Sequence, residues 1–166
     1  MKTSDTSARP VSPPIEGRTG GVSYFTISEL TASATALREG IDNRPSKCAF
    51  HLLHVLVDQL LDPIREAWGA PIIVSSGYRC KELNALVGGV KNSHHLLGCA
   101  ADITAPLLSP LGGGREGANR KLFKLIQQMQ QEGKLRFTQL IAEDNYRWLH
   151  ISYVPSDLRC QVLSGE

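Results

Sequence analysis

The stretch FTQLIAEDNYRWLHISYV, residues 137–154, decides the fold because it contains two β-rich runs joined by a turn signal. The runs FTQLIAE (137–143) and RWLHISYV (147–154) carry the β-branched and aromatic residues that are typical of strands. The Asp-Asn pair between them favours a turn. The stretch therefore predicts an antiparallel hairpin.

The register of this hairpin follows from the length of its turn. If residues 144–147 form the turn, Glu143 pairs with Trp148 and residue 141 pairs with His150. Alternate residues of a strand point to the same face, so Glu143, Trp148 and His150 should project together. The hairpin thus places a carboxylate beside a histidine.

The rest of the chain predicts one α+β domain with a small antiparallel sheet flanked by helices. Apolar residues at helical spacing, capping residues and glycine stops indicate the helices, and short β-rich runs indicate the strands. A Pro/Gly-rich loop is predicted over 106–117. The predicted helices cover 27–39, 46–68, 80–87 and 118–132, and the further strands cover 71–76 and 99–104.

Composition bounds the class of protein. The 166 residues suit one domain, and the Ser, Thr, Pro and Gly of residues 1–21 predict a disordered leader before a domain over 22–166. A net charge of +2, with no run of Lys or Arg, gives no electrostatic case for nucleic acid. No apolar stretch is long enough for a membrane span, and no signal peptide is visible. The localisation stays open.

Four cysteines are present, and none of them forms a C-x-x-C pair. In a chain of this size without a signal peptide, free thiols are expected rather than a disulfide framework. A zinc site built from cysteine is therefore not expected.

The segment NSHHLLGCAAD, residues 92–102, is a candidate metal site. His94 and His95 lie in a loop before a strand, and Asp102 follows on that strand. The segment alone also fits a polar loop beside a strand. His150 would supply a third ligand, and two histidines with one aspartate leave a coordination position open, as catalytic zinc sites do.

A zinc-bound water needs a carboxylate that shuttles its proton. Glu143 is the candidate because it lies beside His150 in the hairpin, and Asp144 in the turn is the competitor. Two further histidines, His51 and His54, lie three apart on a leucine-rich helix without a nearby third ligand. They are interpreted as core or boundary residues rather than metal ligands.

With these pieces placed, the blocks SGYRCKELNALVGG, SHHLLGCAADI and QLIAEDNYRWLHIS together resemble the zinc D-alanyl-D-alanine metallopeptidases. These peptidases share a fold with the hedgehog signalling domain. The resemblance covers residues 24–153, with the blocks in family order. It implies a hedgehog-like α+β fold and a zinc-dependent peptidase.

Residue by residue, the resemblance implies zinc on His95, Asp102 and His150 and places His94 at a variable position. Arg79, after Ser-Gly-Tyr, matches the family's substrate and transition-state contact, and Ser93 matches a position near the substrate. Many members carry the catalytic carboxylate three residues before the last histidine, where this chain has Arg147. The smaller relatives have a glutamate at the position of Glu143.

The expected substrate is a stem peptide of bacterial peptidoglycan, cut at D-Ala-D-Ala by a carboxypeptidase. An L-Ala-D-Glu-type endopeptidase, a zinc-containing binding module and a domain without metal remain alternatives. Such a target implies the periplasm or the cell exterior. The residues leave open which bond is cut, because pocket-shaping loops decide it.

Overall fold

A five-stranded sheet organises the residues that the computed structural model describes, 23–107 and 114–164. The strand order is β1-β2-β4-β3-β5. Neighbouring strands are antiparallel except β3 and β5, which run parallel. The strands are β1 (Ile73–Ser76), β2 (Ala100–Thr104), β3 (Gln139–Glu143), β4 (Trp148–Ser152) and β5 (Gln161–Ser164).

Six α-helices accompany the sheet within the described residues, so the α+β prediction is confirmed. A π-helical turn (Val57–Leu61) links two of them, and a 3₁₀ turn (His94–Leu97) precedes β2. The helices are α1 (Ile27–Thr31), α2 (Ala34–Glu39), α3 (Lys47–Leu56), α4 (Asp62–Trp68), α5 (Lys81–Leu86) and α6 (Gly114–Gln131).

The helix predicted over 27–39 is two helices, which corrects the sequence interpretation. Thr26 caps α1 as predicted, since its hydroxyl accepts a hydrogen bond from the Glu29 backbone N–H at 3.1 Å. The chain then turns extended at Ala32, and the Ser33 hydroxyl accepts from the Ala36 N–H and starts α2. A second N-cap residue, Ser33, lies within the predicted helix and therefore divides it into two.

The helix predicted over 46–68 is continuous, and Ser46 caps it as expected. Pro63 causes no break because it lies at the second residue of α4, directly after the π-helical turn. Proline has no N–H for the helical hydrogen bonds, and the change from the π-helical to the α-helical bonding pattern lies directly before it. Gly69 ends α4 in the left-handed conformation.

The loop predicted over 106–117 ends earlier than predicted, because α6 begins at Gly114 rather than at residue 118. Residues 108–113 of this loop, and the predicted leader 1–21, lie outside the described residues. The strand β5 was not predicted at all. Its four residues pair in parallel with β3, and so short a run gives no pattern of its own.

The predicted hairpin is confirmed with its register. Glu143 lies opposite Trp148, and Ile141 lies opposite His150. The residues between the strands form the turn, and three of them, Asp144–Tyr146, adopt positive φ values of 43°, 54° and 67°. Such values are uncommon for residues other than glycine, so neighbouring structure must hold this turn in place.

One face of the sheet is buried and the other is open, which fixes where a site can form. Leu140, Leu149 and Ile151 are fully buried in the core, together with side chains from α1, α3, α4 and α6. On the opposite face, Ile141, Glu143 and His150 are half-buried. The polar residues of the hairpin therefore face a free surface.

No helix in the described segments is both long and apolar enough to cross a membrane. The four cysteines are free thiols, as the sequence predicts. Cys99 is buried, and burial raises the pKa of its thiol to about 11, with the nearby Cys48 adding to the effect.

The loop after β1 passes so close to α1 that it requires glycine. A Cβ atom on Gly77 would overlap the backbone carbonyl oxygen of Leu30. The Leu30 oxygen is a backbone atom and the new Cβ is bonded directly to the backbone, so neither can move aside easily. Gly77→Ala should therefore lower the free energy of unfolding by at least the ~1–3 kcal/mol typical of overpacking. A thermal melt should show a lower Tm for this variant.

Gly117→Ala is the matched control, because a Cβ there meets nothing within 4 Å inside α6. Alanine in a helix is better than glycine by about 1 kcal/mol, so this variant should melt at or above the wild-type temperature. Equal melting temperatures for the two variants would contradict the close approach at Gly77.

Candidate metal centre

Three side chains that are far apart in the sequence converge on the open face of the sheet. His95 Nε2 lies 3.2 Å from Asp102 Oδ1 and 3.2 Å from His150 Nδ1, and Asp102 Oδ1 lies 2.9 Å from His150 Nδ1. Ligands of a tetrahedral zinc ion at about 2.0–2.1 Å stand roughly 3.3 Å apart. The spacing of these three side chains is therefore that of a zinc site, and they could hold a metal ion. His95, Asp102 and His150 are hereafter called the metal-binding group.

The environment of His95 fixes the form of its ring that a metal needs. Its Nδ1 lies 2.6 Å from the Gly77 carbonyl oxygen, which can only accept a hydrogen bond. Nδ1 therefore carries the proton, and the lone pair of Nε2 points towards Asp102 and His150. This second contact is the usual way in which proteins orient a metal-binding histidine.

Pairing of the strands brings the other two side chains together. Asp102 on β2 lies directly opposite His150 on β4. Burial alone would raise the pKa of the Asp102 carboxyl, but the adjacent His150 and His95 side chains outweigh burial and hold that pKa well below its usual range. The carboxylate is thus ionised at neutral pH, as a metal ligand must be.

Arg79 contacts the second oxygen of the same carboxylate. Its Nη2 donates to Asp102 Oδ2 at 2.7 Å, and its Nε donates to Ser76 Oγ at 2.9 Å. The side chain is 15 % exposed. Arg79 therefore orients Asp102, and Arg79 also lines a cavity over the three converging side chains.

Ser93 and His94 lie next to the group but outside it. The Ser93 hydroxyl accepts a hydrogen bond from the His95 backbone N–H and caps the 3₁₀ turn that carries His95. His94 Nδ1 lies 3.1 Å from Ser152 Oγ. Burial, followed by the neighbouring His150, lowers the pKa of His94. The two adjacent histidines thus have different partners, as the sequence comparison implied.

The close packing around His95 depends on Gly98. This residue ends the 3₁₀ turn with φ 75°, and a Cβ on it would crowd the Ala49 carbonyl oxygen of α3. The other pair of histidines, His51 and His54, takes no part in the group. Both are exposed on α3, so their interpretation as core or boundary residues is wrong.

A cavity of about 600 Å³, hereafter the cleft, opens over the metal-binding group. Glu143 lines it, and no hydrogen bond or ion pair engages its carboxylate among the described residues. Asp144 instead pairs with Arg147 at 2.8 Å in the exposed turn and does not line the cleft. Of the two candidate bases, Glu143 is the one that faces the site.

Helix α6 holds the strained turn that follows Glu143. Asn119 is fully buried, and its Nδ2 donates to the carbonyl oxygens of Tyr146 and Arg147 at 2.8 and 2.9 Å. Its Oδ1 accepts from the backbone N–H of Ala105, just beyond β2. Asn119 therefore links the strand of Asp102 to the hairpin of Glu143. Arg120 adds a cation–π contact, 4.1 Å above the Tyr146 ring.

Comparison with known families agrees with this geometry. Residues 23–110, more than half of the chain, match the family model described as Peptidase M15. The chain belongs to the peptidase M15 family. Members of this family are zinc metallopeptidases, and the His-Asp-His group of this M15 peptidase has the donors that zinc prefers. No curated protein matches the chain.

The matched span contains two members of the metal-binding group and ends before the third. His95 and Asp102 lie inside it, whereas Glu143 and His150 lie beyond residue 110. The sheet of this M15 peptidase brings the two parts together, because β4 pairs with β2. The two parts of the group therefore meet in the sheet, although the matched span holds the first part alone.

Several cleft residues of this M15 peptidase escaped the sequence analysis. Gln139 and Ile141 precede Glu143 on β3 at a spacing of two, so strand periodicity could have assigned them to the cleft. Val87, Val90 and Arg159 also line it, but they lie in loops without a pattern. Asn119 was missed because its role depends on partners from two other elements.

Replacement of a ligand candidate should remove zinc from this M15 peptidase. His95→Ala and His150→Ala each delete one of three donors, so zinc affinity should fall by more than the roughly 10–100-fold that loss of an outer contact costs. Metal analysis after gel filtration, with titration against a competing chelator, measures the effect. His94→Ala is the control and should keep stoichiometric zinc. Retention of zinc by His150→Ala would exclude His150 as a ligand.

Proposed function

We propose that the protein hydrolyses peptide bonds in the stem peptides of bacterial peptidoglycan, with zinc on His95, Asp102 and His150. The observation that supports this most is the Glu143 carboxylate, which lines the same cleft as the metal-binding group and has no partner among the described residues. A zinc-dependent hydrolase needs a metal ion and a base that face the same cleft. The resemblance to the zinc D-alanyl-D-alanine metallopeptidases supplies the class of substrate.

Bound zinc acts as a Lewis acid on a carbonyl oxygen and lowers the pKa of water to roughly 7. Glu143 would accept the proton of the attacking water and pass it to the nitrogen of the departing amine. Because the Glu143 carboxylate has no partner among the described residues, no internal hydrogen bond or ion pair must break before it acts. The hairpin register keeps it beside His150.

Arg79 would stabilise the oxyanion with the guanidinium N–H groups that face the cleft. Its contacts with Asp102 and Ser76 fix the guanidinium plane, so the remaining donors are held in one orientation. Ser93 caps the turn that carries His95 and also lines the cleft, where its hydroxyl lies within reach of a bound peptide.

The terminal D-Ala-D-Ala bond is the first candidate for the bond that is cut, since the resemblance is to D-alanyl-D-alanine peptidases. An internal bond, as cut by an L-Ala-D-Glu-type endopeptidase, is the second candidate. It is favoured by a second cavity that borders the cleft at Arg79, Val87 and Trp148. A zinc-containing binding module is less favoured, because binding alone needs no free carboxylate beside the metal.

Glu143→Gln should lower kcat by about 10²–10⁴-fold, the usual contribution of general acid–base catalysis, with zinc retained. Glutamine keeps the size of the side chain but cannot accept the proton. The measurement is release of D-Ala or of shorter peptides from purified muropeptides, followed by mass spectrometry.

Asp144→Asn is the matched control, one residue further along, and should keep wild-type activity since Asp144 contacts Arg147 outside the cleft. Equal activity of Glu143→Gln and wild type would exclude Glu143 as the base. If zinc-loaded wild type leaves every muropeptide intact, the peptidoglycan substrate is wrong and a binding function gains support.

A further inference from the structure

A second cavity, of about 540 Å³, borders the cleft at Arg79 and is not lined by His95, Asp102 or His150. It shares three wall residues with the cleft, Arg79, Val87 and Trp148. Each cavity by itself has the volume of a pocket that holds a small ligand, roughly 300–1,000 Å³. One alanine residue beyond the scissile bond would leave most of either cavity unfilled.

The wall of the second cavity is fixed to the loop that carries Arg79. The Tyr78 backbone N–H donates to the Leu30 carbonyl oxygen at 2.7 Å. Asn43 adds a bridge, since its Nδ2 donates to the carbonyl oxygens of Thr31 and Tyr78, and its Oδ1 accepts from the Cys80 N–H. The junction of α1 and α2 therefore stands at a set distance from the metal-binding group.

The lining of the second cavity fits an uncharged polar chain. Ser33, Thr35 and Ser75 line it. The Ser75 hydroxyl donates to the Asp102 carbonyl oxygen and can still accept, whereas the Ser33 hydroxyl accepts from the Ala36 N–H and can still donate to a peptide carbonyl group. Among the described residues that line it, Arg79 is the one cation, and Arg79 already pairs with Asp102. Among the described lining residues, a terminal carboxylate would have to share the Arg79 charge with Asp102, whereas a continuing peptide needs no positive charge.

We infer that the second cavity is a subsite for substrate residues beyond those at the metal, so that the enzyme cleaves bonds inside a peptide that continues past the cleft. This inference rests on the proposed function. It assigns a peptide chain to the α1–α2 junction and favours the internal bond, which the resemblance alone places second. Trp148, between the two cavities, would contact the chain where it passes from one to the other.

The test uses the zinc-loaded full chain and three synthetic peptides. One is the shortest muropeptide peptide that the enzyme cuts, and the other two extend it by two residues at the amino end or at the carboxyl end. Wild type should cut at least one extended peptide with a kcat/KM no lower than that of the short one. A short peptide that is never cut refutes the proposed function, which is a separate outcome.

Ala34→Trp should fill the subsite without harming the fold, because Ala34 is exposed at the start of α2 and lines the cavity. We expect kcat/KM to fall about tenfold or more for one extended peptide and to change less than about twofold for the short one. Leu37→Trp is the control on the same helix, since Leu37 is 85 % exposed and lies outside the cavity.

Three results would overturn the inference. In the first, wild type cuts the short peptide but neither extended peptide. In the second, Ala34→Trp changes kcat/KM by the same factor for all three peptides. In the third, Leu37→Trp shows the same selective loss of kcat/KM as Ala34→Trp. Each leaves the hydrolysis of the short peptide intact, so the proposed function survives a failure of the subsite.

Discussion

The Asp102 carboxylate is the interaction on which the site depends. One oxygen faces His95 and His150, and the other accepts a hydrogen bond from Arg79. These partners come from the 3₁₀ turn, from β4 and from the loop after β1, so a single buried carboxylate joins three parts of the chain. Because the charge is compensated on both sides, it can remain ionised despite its burial. The same feature that stabilises the arrangement supplies the anionic ligand of a zinc site.

The division of the sheet into two faces explains why the site lies where it does. Apolar residues of β2, β3 and β4 pack against the helices on one face, and the alternate residues of the same strands form the floor of the cleft. Rigid strands hold Asp102, His150 and Glu143, whereas loops and short turns supply Arg79 and His95. Asn119 then ties the end of β2 to the hairpin turn, which keeps the carboxylate of Glu143 at a constant distance from the metal-binding group.

The parts that the sequence could predict are those with a local cause. The turn length fixed the hairpin register, which placed Glu143 and His150 on one face. Ser46 marked the start of a helix through its side-chain hydroxyl, and Gly69 marked the end of that helix through its backbone preference. Non-local features were not predictable in this way. Arg79 contacts Asp102 from the loop after β1, where the pairing of β1 with β2 is irregular near Ser75. The strand β5 forms by pairing with the edge of β3. The second cavity arises where Ser33 divides one helical pattern into two helices.

The most direct test is a crystal structure of the zinc-loaded protein, with anomalous diffraction data collected on both sides of the zinc absorption edge. The account predicts one zinc peak bound by His95 Nε2, an Asp102 carboxylate oxygen and His150 Nδ1, each at about 2.0–2.2 Å. Glu143 should face the ion across the cleft without binding it. A zinc ion bound by His94, or a His150 side chain turned away from the ion, would contradict the account.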